Sequence, residues 1–461
     1  MQINPSIFRE YDIRGIWGRD LTPGSVRAIG RAYAVYLKEC TGRNDPKITV
    51  GRDVRLSSPE IFGSLAAALT ASGVTIIDIG ACPTPLQYFS LFTLPADGGI
   101  MITGSHNPPD FNGMKLSIGK ETIYGEGIQA VRRIAEKGEA SSGKGSVEQY
   151  DIIPAYIEHI KSLYRNSGGR PFDGIRAVVD AGNGTGGLVA PRLLRELGCE
   201  VIELYCEPDG RFPNHHPDPV VIENIKDLSA AVRKNKAHLG IGFDGDADRI
   251  GVVDESGRVV WGDRLMVIFA RDVLRAFPGA TIIGEVKCSQ TLYDDIRACG
   301  GNPLMWKTGH SLIKSKMRET NSLLAGEMSG HIFFADRYFG YDDAVYAGVR
   351  LIEIIAKAGA PYSLKELLAG VPETASTPEI RVYCPDEIKF MVMDRVKGAF
   401  QGYPLIDIDG IRIGFPQGWG LVRASNTQPA LVLRFEASEE SYLKEIRDTV
   451  ESRLSSILGG L

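Results

Sequence analysis

Residues 47–80, KITVGRDVRLSSPEIFGSLAAALTASGVTIIDIG, contain the fold in miniature. KITV (47–50) reads as a strand that meets the loop Gly51-Arg52-Asp53. Ser57-Ser58-Pro59 then opens a helix, because serine can cap and proline fits the first turn. The helix runs to about Ala71 and Gly73 ends it, so VTIIDIG (74–80) follows as a second strand. GGIMITG (98–104) is a third strand, and it runs straight into Ser105.

The same order recurs twice downstream. RAVVDAGNGTGG (176–187), CEVIELY (199–205) and HLGIGFDGDADR (238–249) form one set; ATIIGEVKCS (280–289), NPLMWKTGH (302–310) and SLLAGEMSGH (322–331) form another. Strands alternating with helical stretches predict α/β units whose sheets contain parallel strands. The strand ends carry small, polar and charged residues, and ligands of such sheets bind at the carboxyl ends of strands. Three units can therefore aim three loops at one shared cleft. From about residue 371 the pattern changes to close-spaced strands with short Gly/Pro turns, IRVYC (380–384), IDGIRIGF (408–415), GWGLVRAS (418–425) and ALVLRFEA (430–437), then a final helix over 438–457. That predicts a small α+β domain. The expected division is 1–148, 149–254, 255–370 and 371–461, with EKGEASSGKGS (136–146) as the best linker signal.

Bulk composition narrows the class. The chain has 461 residues, 43% hydrophobic and 24% charged, with a net charge of −5. This is ordinary globular composition, and the slight acidity argues against a nucleic-acid or anionic-membrane surface spread over the molecule. Seven scattered cysteines with no C-x-x-C pair predict inert thiols in a reducing compartment, neither a disulfide framework nor a zinc site. No segment approaches ~18 consecutive apolar residues, and the N-terminal MQINPSIFREYDIRG has no basic run leading into an apolar stretch. The expectation is a cytoplasmic protein, a monomer or weak dimer, with no nucleic-acid or membrane partner.

Four segments can carry chemistry. In Thr103-Gly104-Ser105-His106-Asn107-Pro108-Pro109-Asp110, two prolines stiffen a turn that presents a serine beside a histidine, with Lys115 nearby to supply positive charge. Taken alone this is an ordinary turn. Asp244-Gly245-Asp246-Ala247-Asp248-Arg249 puts three carboxylates within five residues. In an extended segment they would share a face, where like charges ~5 Å apart repel by roughly 3 kcal/mol per pair. A divalent cation removes that penalty, and oxygen-only donors suit Mg²⁺ or Ca²⁺. An EF-hand is excluded, because Arg249 stands where that loop needs glycine and a strand-like Ile250-Gly251-Val252-Val253 follows. In Gly326-Glu327-Met328-Ser329-Gly330-His331, Glu327 and Ser329 would point the same way from an extended loop, suited to paired sugar hydroxyls. Arg423-Ala424-Ser425-Asn426-Thr427 offers a guanidinium, hydroxyls, an amide and backbone N–H groups, a phosphate cradle. Arg14, Arg52, Lys287 and His310 are further scattered cations. Together these are the parts that phosphoryl transfer needs.

TGSHNPPDFNGMK, DGDADR, GEMSGH and RASNTQP, together with FREYDIRG (8–15), resemble the signature segments of the α-D-phosphohexomutase superfamily, in the family's order and across nearly the whole chain. The GEMSGH form most resembles its bacterial phosphomannomutase/phosphoglucomutase branch; residue 247 is Ala where that branch often has Gly, with little effect expected on the ligand set. The resemblance implies three similar α/β domains and an α+β domain around a central cleft. It implies interconversion of hexose 1-phosphate and hexose 6-phosphate, of mannose or glucose, through phosphorylated Ser105 and a hexose 1,6-bisphosphate. It implies Mg²⁺ held by Asp244, Asp246, Asp248 and a Ser105 phosphate oxygen, and a non-reacting phosphate held by Arg423, Ser425, Asn426 and Thr427. Glu327 and Ser329 would read O3 and O4. Lys115 and His331 would transfer protons, assisted by His106 and Arg14, while Tyr11, Arg249, Lys287 and His310 would line the cleft. The competing expectations are a phosphoglucosamine mutase, a non-catalytic sugar-phosphate sensor on the same fold, and a metal-dependent phosphatase.

Overall fold

The computed structural model describes residues 3–165, 171–425 and 429–460. Four sheets follow one another along the chain. The first holds β1 (Ile13–Ile16), β2 (Lys47–Arg52), β3 (Thr75–Ala81), β4 (Gly98–Ile102), β5 (Phe111–Ile118), β6 (Glu121–Thr122) and β7 (Val147–Gln149). The second holds β8 (Arg176–Asp180), β9 (Glu200–Leu204), β10 (Leu239–Phe243), β11 (Ile250–Asp254) and β12 (Val259–Val260). The third holds β13 (Thr281–Glu285), β14 (Asn302–Trp306), β15 (Leu324–Gly326) and β16 (Ile332–Phe334). The fourth holds β17 (Ala375–Ser376), β18 (Ile380–Tyr383), β19 (Leu405–Ile406), β20 (Ile411–Phe415), β21 (Gly418–Ala424) and β22 (Ala430–Ala437).

The first three sheets repeat one topology. Each has the order β3-β2-β4-β5, β9-β8-β10-β11 or β14-β13-β15-β16, with three parallel strands and an antiparallel fourth. The third strand always turns back into the fourth at its carboxyl end. Those three turns are the Ser105 loop, the aspartate loop and the Glu327–His331 loop, so the repeat itself delivers the chemistry-bearing loops. The fourth sheet is antiparallel throughout and is backed by the helices Lys389–Ala399 and Glu440–Gly459. Among the described residues no helix is long and apolar enough to cross a membrane, and all seven cysteines are free.

Local expectations need some revision. The helix of the opening segment spans Ser58–Ala71, but Ser57 at its cap makes no capping hydrogen bond. Instead Ser57 accepts a bond from Asn112 (2.8 Å) and Ser58 donates to Asp53 (2.6 Å). The Gly/Ser-rich stretch is not a free linker: Gly143 and Gly145 donate to the carbonyls of Ala71 and Thr70, at 3.0 and 2.8 Å, and lead into β7. One apolar cluster runs from the helix Thr84–Thr93 through the second and third sheets, whereas the fourth sheet has its own core. That last unit is joined to the third through Val286, Trp419 and Leu421 and through Arg412, which donates to the carbonyls of Val286 (2.7 Å) and Cys288 (2.9 Å).

Candidate active site

Ser105 sits on a clamped, strained turn. Its φ of 49° is in the left-handed region, and it is 2% exposed. Such strain in a non-glycine residue persists only where the surroundings enforce it. The enforcer is Arg55, which the sequence did not single out. All five of its side-chain N–H groups are used: on Asp53 (3.1 Å) and on the carbonyls of Ser105 (2.8 Å), Asn107 (2.6 Å), Phe111 (2.9 Å) and Pro108. A Cβ on Gly104 would stand 2.5 Å from Arg55 Nε, so glycine is required there. Phe212, from the second unit, lies under the guanidinium at 5.1 Å. Arg14 donates to the Asn107 side chain (3.3 Å) from the other side.

The Ser105 hydroxyl donates to Asp244 (2.8 Å) and lies 3.1 Å from His106 Nδ1. Burial, then the charges of Arg249 and Arg14, hold His106 well below the usual histidine range, so it is neutral. A Cβ on Gly245 would stand 2.5 Å from the Ser105 carbonyl, which is how closely the two loops approach.

Asp244, Asp246 and Asp248 are fully buried and bring one oxygen each within 4.8 Å of one another. They do so on a turn, not on the extended segment expected. Ala247 is left-handed (φ 54°) and its N–H reaches Asp244 O (3.1 Å), while Asp244 Oδ1 accepts from the N–H groups of Asp248 (3.1 Å) and Arg249 (3.2 Å). Lys115, on β5, pairs with Asp248 and with Asp246 (3.4 Å). Burial opposes its charge, but Asp246 and Asp248 more than offset this and hold it well above its usual value. Burial, then Asp248 and Asp246, push the Asp244 carboxyl well above the carboxylate range. Among the described residues, Asp246 Oδ1 and Asp248 Oδ1 are buried with no hydrogen-bond partner. Crowded, all-oxygen and under-satisfied, this cluster fits a hard divalent cation.

The third loop is also a turn. Gly330 N–H reaches Glu327 O (3.0 Å), which swings the Ser329 hydroxyl onto Glu327 (2.9 Å). The two face together as expected, but through the turn and not through strand alternation. Glu327 also accepts from Gly309 N–H (2.6 Å). His331 receives Arg249 Nε at 3.0 Å, and its ring lies 5.7 Å from that of His310. Tyr11 packs on His310 and donates to the Thr308 carbonyl (2.9 Å). Lys287 sits between Glu285 (3.6 Å) and Glu379 (2.5 Å), and Lys287 holds Glu379 down to about 2. Arg423 pairs with Asp409 (3.1 Å), and Asp409 also accepts from Thr308 N–H (3.0 Å). Ser425 closes the cradle strand through Ala430, at 2.9 Å. Asn426 and Thr427 lie outside the described residues.

Ser105, His106, Lys115, the three aspartates, Arg249 and His331 are therefore linked by direct contacts, and Arg14, Tyr11, His310, Glu327, Ser329 and Arg423 join through Asn107 or residues 308–310. Arg52 does not join: it pairs with Asp78 (2.6 Å) and lies over Phe62. Besides Arg55, sequence reasoning missed Thr84, which donates to Asp246 (2.5 Å), and Asp342.

Models of phosphoglucomutase/phosphomannomutase domains match most of the chain: α/β/α domain I at 5–141, domain II at 154–257, domain III at 261–374, and the C-terminal domain at 379–452. A phosphomannomutase/phosphoglucomutase from Pseudomonas aeruginosa is 47% identical over 454 residues, 98% of this chain and 96% of that one. A phosphoglucomutase from Neisseria gonorrhoeae is 45% identical over 460 residues, 98% of each chain. The crystal structure of a phosphoglucomutase/phosphomannomutase family protein from Burkholderia thailandensis superposes with a TM-score of 0.91 at 43% identity, over 100% of this chain and 99% of that one.

Proposed function

The chain belongs to the phosphoglucomutase/phosphomannomutase family and is a phosphohexomutase, and from that premise we propose how its own residues move the phosphoryl group. Ser105 carries the group, gives it to a hexose 1- or 6-phosphate, and takes the other phosphate back from the resulting hexose 1,6-bisphosphate. The observation that carries this reading is the Ser105 hydroxyl on Asp244 at 2.8 Å, at the edge of three buried carboxylates. A strained, clamped serine beside a cation-seeking cluster has little use in a protein that only binds.

Asp244, Asp246 and Asp248, with an oxygen of phosphorylated Ser105, would hold Mg²⁺, whose charge would offset that of the phosphoryl group. Lys115, kept protonated by its two aspartates, gives a proton to Ser105 Oγ as the phosphoryl group leaves. His331 takes the proton of the attacking sugar hydroxyl. Both transfers reverse in the second half, so the protons are returned. Neutral His106 orients the Ser105 hydroxyl, and Arg14 steadies the loop through Asn107. Glu327 and Ser329 read O3 and O4, which glucose and mannose share, so both sugars fit. Arg423 and Ser425, with Asn426 and Thr427, hold the non-reacting phosphate. Arg249, Lys287, His310 and Tyr11 line the cleft between. The units divide near 148, 254 and 370; β7 and β12 reach slightly past the first two of these edges. A cytoplasmic setting and a monomer or weak dimer complete the reading.

Intact-protein mass spectrometry with peptide mapping tests it. A phosphate adduct on Ser105 after incubation with glucose 1,6-bisphosphate, and loss of turnover in Ser105→Ala, are expected. Parallel rates on glucose, mannose and glucosamine 1-phosphates rank the sugars. Turnover by Ser105→Ala at the wild-type rate would end the proposal, and stoichiometric release of inorganic phosphate would make the protein a phosphatase.

A further inference from the structure

Behind His331 lies a buried charge with no role in the scheme above. Asp342 is 0% exposed. Its backbone bridges Phe333, beside the strand that His331 leads into. The next residue, Asp343, caps the helix Ala344–Ala358 by accepting from Tyr346 N–H (2.8 Å), so capping does not occupy Asp342. One Asp342 oxygen accepts from Lys314 (3.1 Å), which also donates to Thr122 (3.1 Å) and lies 3.9 Å from the centre of the Tyr88 ring. A carboxylate tied to a fixed ammonium is charged and held in one rotamer. Its other oxygen stands 3.0 Å from Nδ1 of His331 and 3.7 Å from Nδ1 of His310; the closer pair is within ion-pair reach but off the line of a hydrogen bond, which a small turn of the His331 ring would make.

The far side of the ring shows which tautomer is present at rest. Nε2 of His331 receives Arg249 Nε at 3.0 Å, and a guanidinium can only donate. Nε2 is therefore the acceptor and Nδ1 carries the hydrogen, on the side of the ring where Asp342 (3.0 Å) is nearer than Asp248 (3.7 Å). The same tautomer argues against an ion shared by Asp248, His331 and Asp342, whose donor atoms converge within 4.8 Å, because Nδ1 has no lone pair to offer.

We propose that Asp342 is the positioning residue of the proton transfer: it holds His331 in the Nδ1–H tautomer, which leaves Nε2 to take and return the sugar proton. This rests on the role given to His331 above. In the first half-reaction the sugar hydroxyl replaces Arg249 at Nε2. The sugar O–H bond and the Ser105 Oγ–P bond break, the new O–P bond forms, and the sugar proton moves to Nε2. The imidazolium keeps its Nδ1–H on the Asp342 carboxylate, which stabilises the charge without taking the proton. In the second half, with the bisphosphate turned round, Nε2 gives the proton to the other sugar oxygen as the bond from that oxygen to its phosphoryl group breaks and the group passes to Ser105 Oγ.

The full-length, Mg²⁺-loaded enzyme is compared as Asp342→Asn, Asp342→Glu, His331→Gln and the double variant Asp342→Asn/His331→Gln. Asp342→Asn is expected to lower kcat about 100-fold, the low end for a mispositioned general base, with KM for glucose 1-phosphate changed less than about threefold. Asp342→Glu recovers about tenfold of this, and the double variant is no slower than His331→Gln, because the pair acts as one unit. Selective ¹⁵N labelling of histidine, with His331 assigned by its loss in His331→Gln and glucose 1,6-bisphosphate bound so that the sugar has replaced Arg249 at Nε2, should show Nδ1–H in the wild type and a larger share of Nε2–H in Asp342→Asn. Near-normal turnover in Asp342→Asn while His331→Gln is impaired overturns the proposal. Normal turnover in His331→Gln instead removes the base assignment beneath it. If Asp342→Asn fails to fold, the wild-type spectrum decides, and an Nε2–H tautomer there overturns the proposal.

Discussion

Arg55→Lys isolates what the clamp on the Ser105 loop contributes. Arginine uses all five of its N–H groups here, one on Asp53 and four on carbonyls between Ser105 and Phe111. Lysine keeps the charge beside Asp53 but has three donors, so at least two buried acceptors lose their partners. At about 1–3 kcal/mol for each buried group left unsatisfied, the loss is about 3 kcal/mol, most of it within residues 104–111. A loop relaxed by that much lets Ser105 leave its left-handed conformation, and at about 1.4 kcal/mol per tenfold in rate, kcat should fall roughly 10- to 100-fold. KM should change little, because the Glu327 loop and the Arg423 cradle are untouched. Turnover of glucose 1-phosphate gives kcat, and amide hydrogen exchange at 104–111 reports the loosening. Wild-type kcat within about twofold, with unchanged exchange in the loop, would refute the idea that the clamp presets the serine.

Two further outcomes follow from local geometry. Ala247 is buried at φ 54°, so Ala247→Gly should stay within about 0.5 kcal/mol of the wild type, relief of strain offsetting the lost methyl and the extra chain entropy. Ala247→Val should destabilise by about 2 kcal/mol or more, and melting curves that rank the two alike would contradict the turn. Burial lowers His215, but its hydrogen bond to Asp180 and that residue's charge outweigh this and leave it raised. A raised histidine adds stability that is full below its unfolded pKa of about 6.5 and is lost as pH climbs through the higher folded value. The melting temperature of the wild type should therefore exceed that of His215→Gln by more at pH 6 than at pH 8; a pH-independent gap would show that the pair does not titrate as described.

Much of this was legible in the chain because its signals are local. The strands β2, β3, β8, β9 and β10 follow from apolar runs bounded by turn residues, and the loops fall at their ends because parallel strands put them there. What failed was local conformation inside the loops. Asp244–Asp248 and Glu327–Ser329 were expected to be extended, and both are turns whose backbone N–H groups fold back on the first acid. Spacing gives proximity in either geometry, so the three aspartates converge and Ser329 reaches Glu327 on a turn as they would on an extended segment. Arg55 and Asp342 were invisible for a different cause. Arg55 acts on carbonyls 50 to 56 positions away, and Asp342 on a ring set by the fold, so neither leaves a short-range pattern. Arg52, three residues earlier, is the cation that the sequence offers, and it faces Asp78 instead.

Lys287 and Arg423 each already hold a carboxylate, Glu379 and Asp409. A phosphate arriving at either cation must displace an anion that stays tethered within reach. On the reading proposed above, the cleft then works as an ion exchanger. Charge in the pocket stays balanced whether it is full or empty, ligand binding is weakened by the cost of expelling the resident acid, and departure is helped by that acid's return. An intermediate that has to let go of the protein, turn around and settle again is well served by cations that are never left bare.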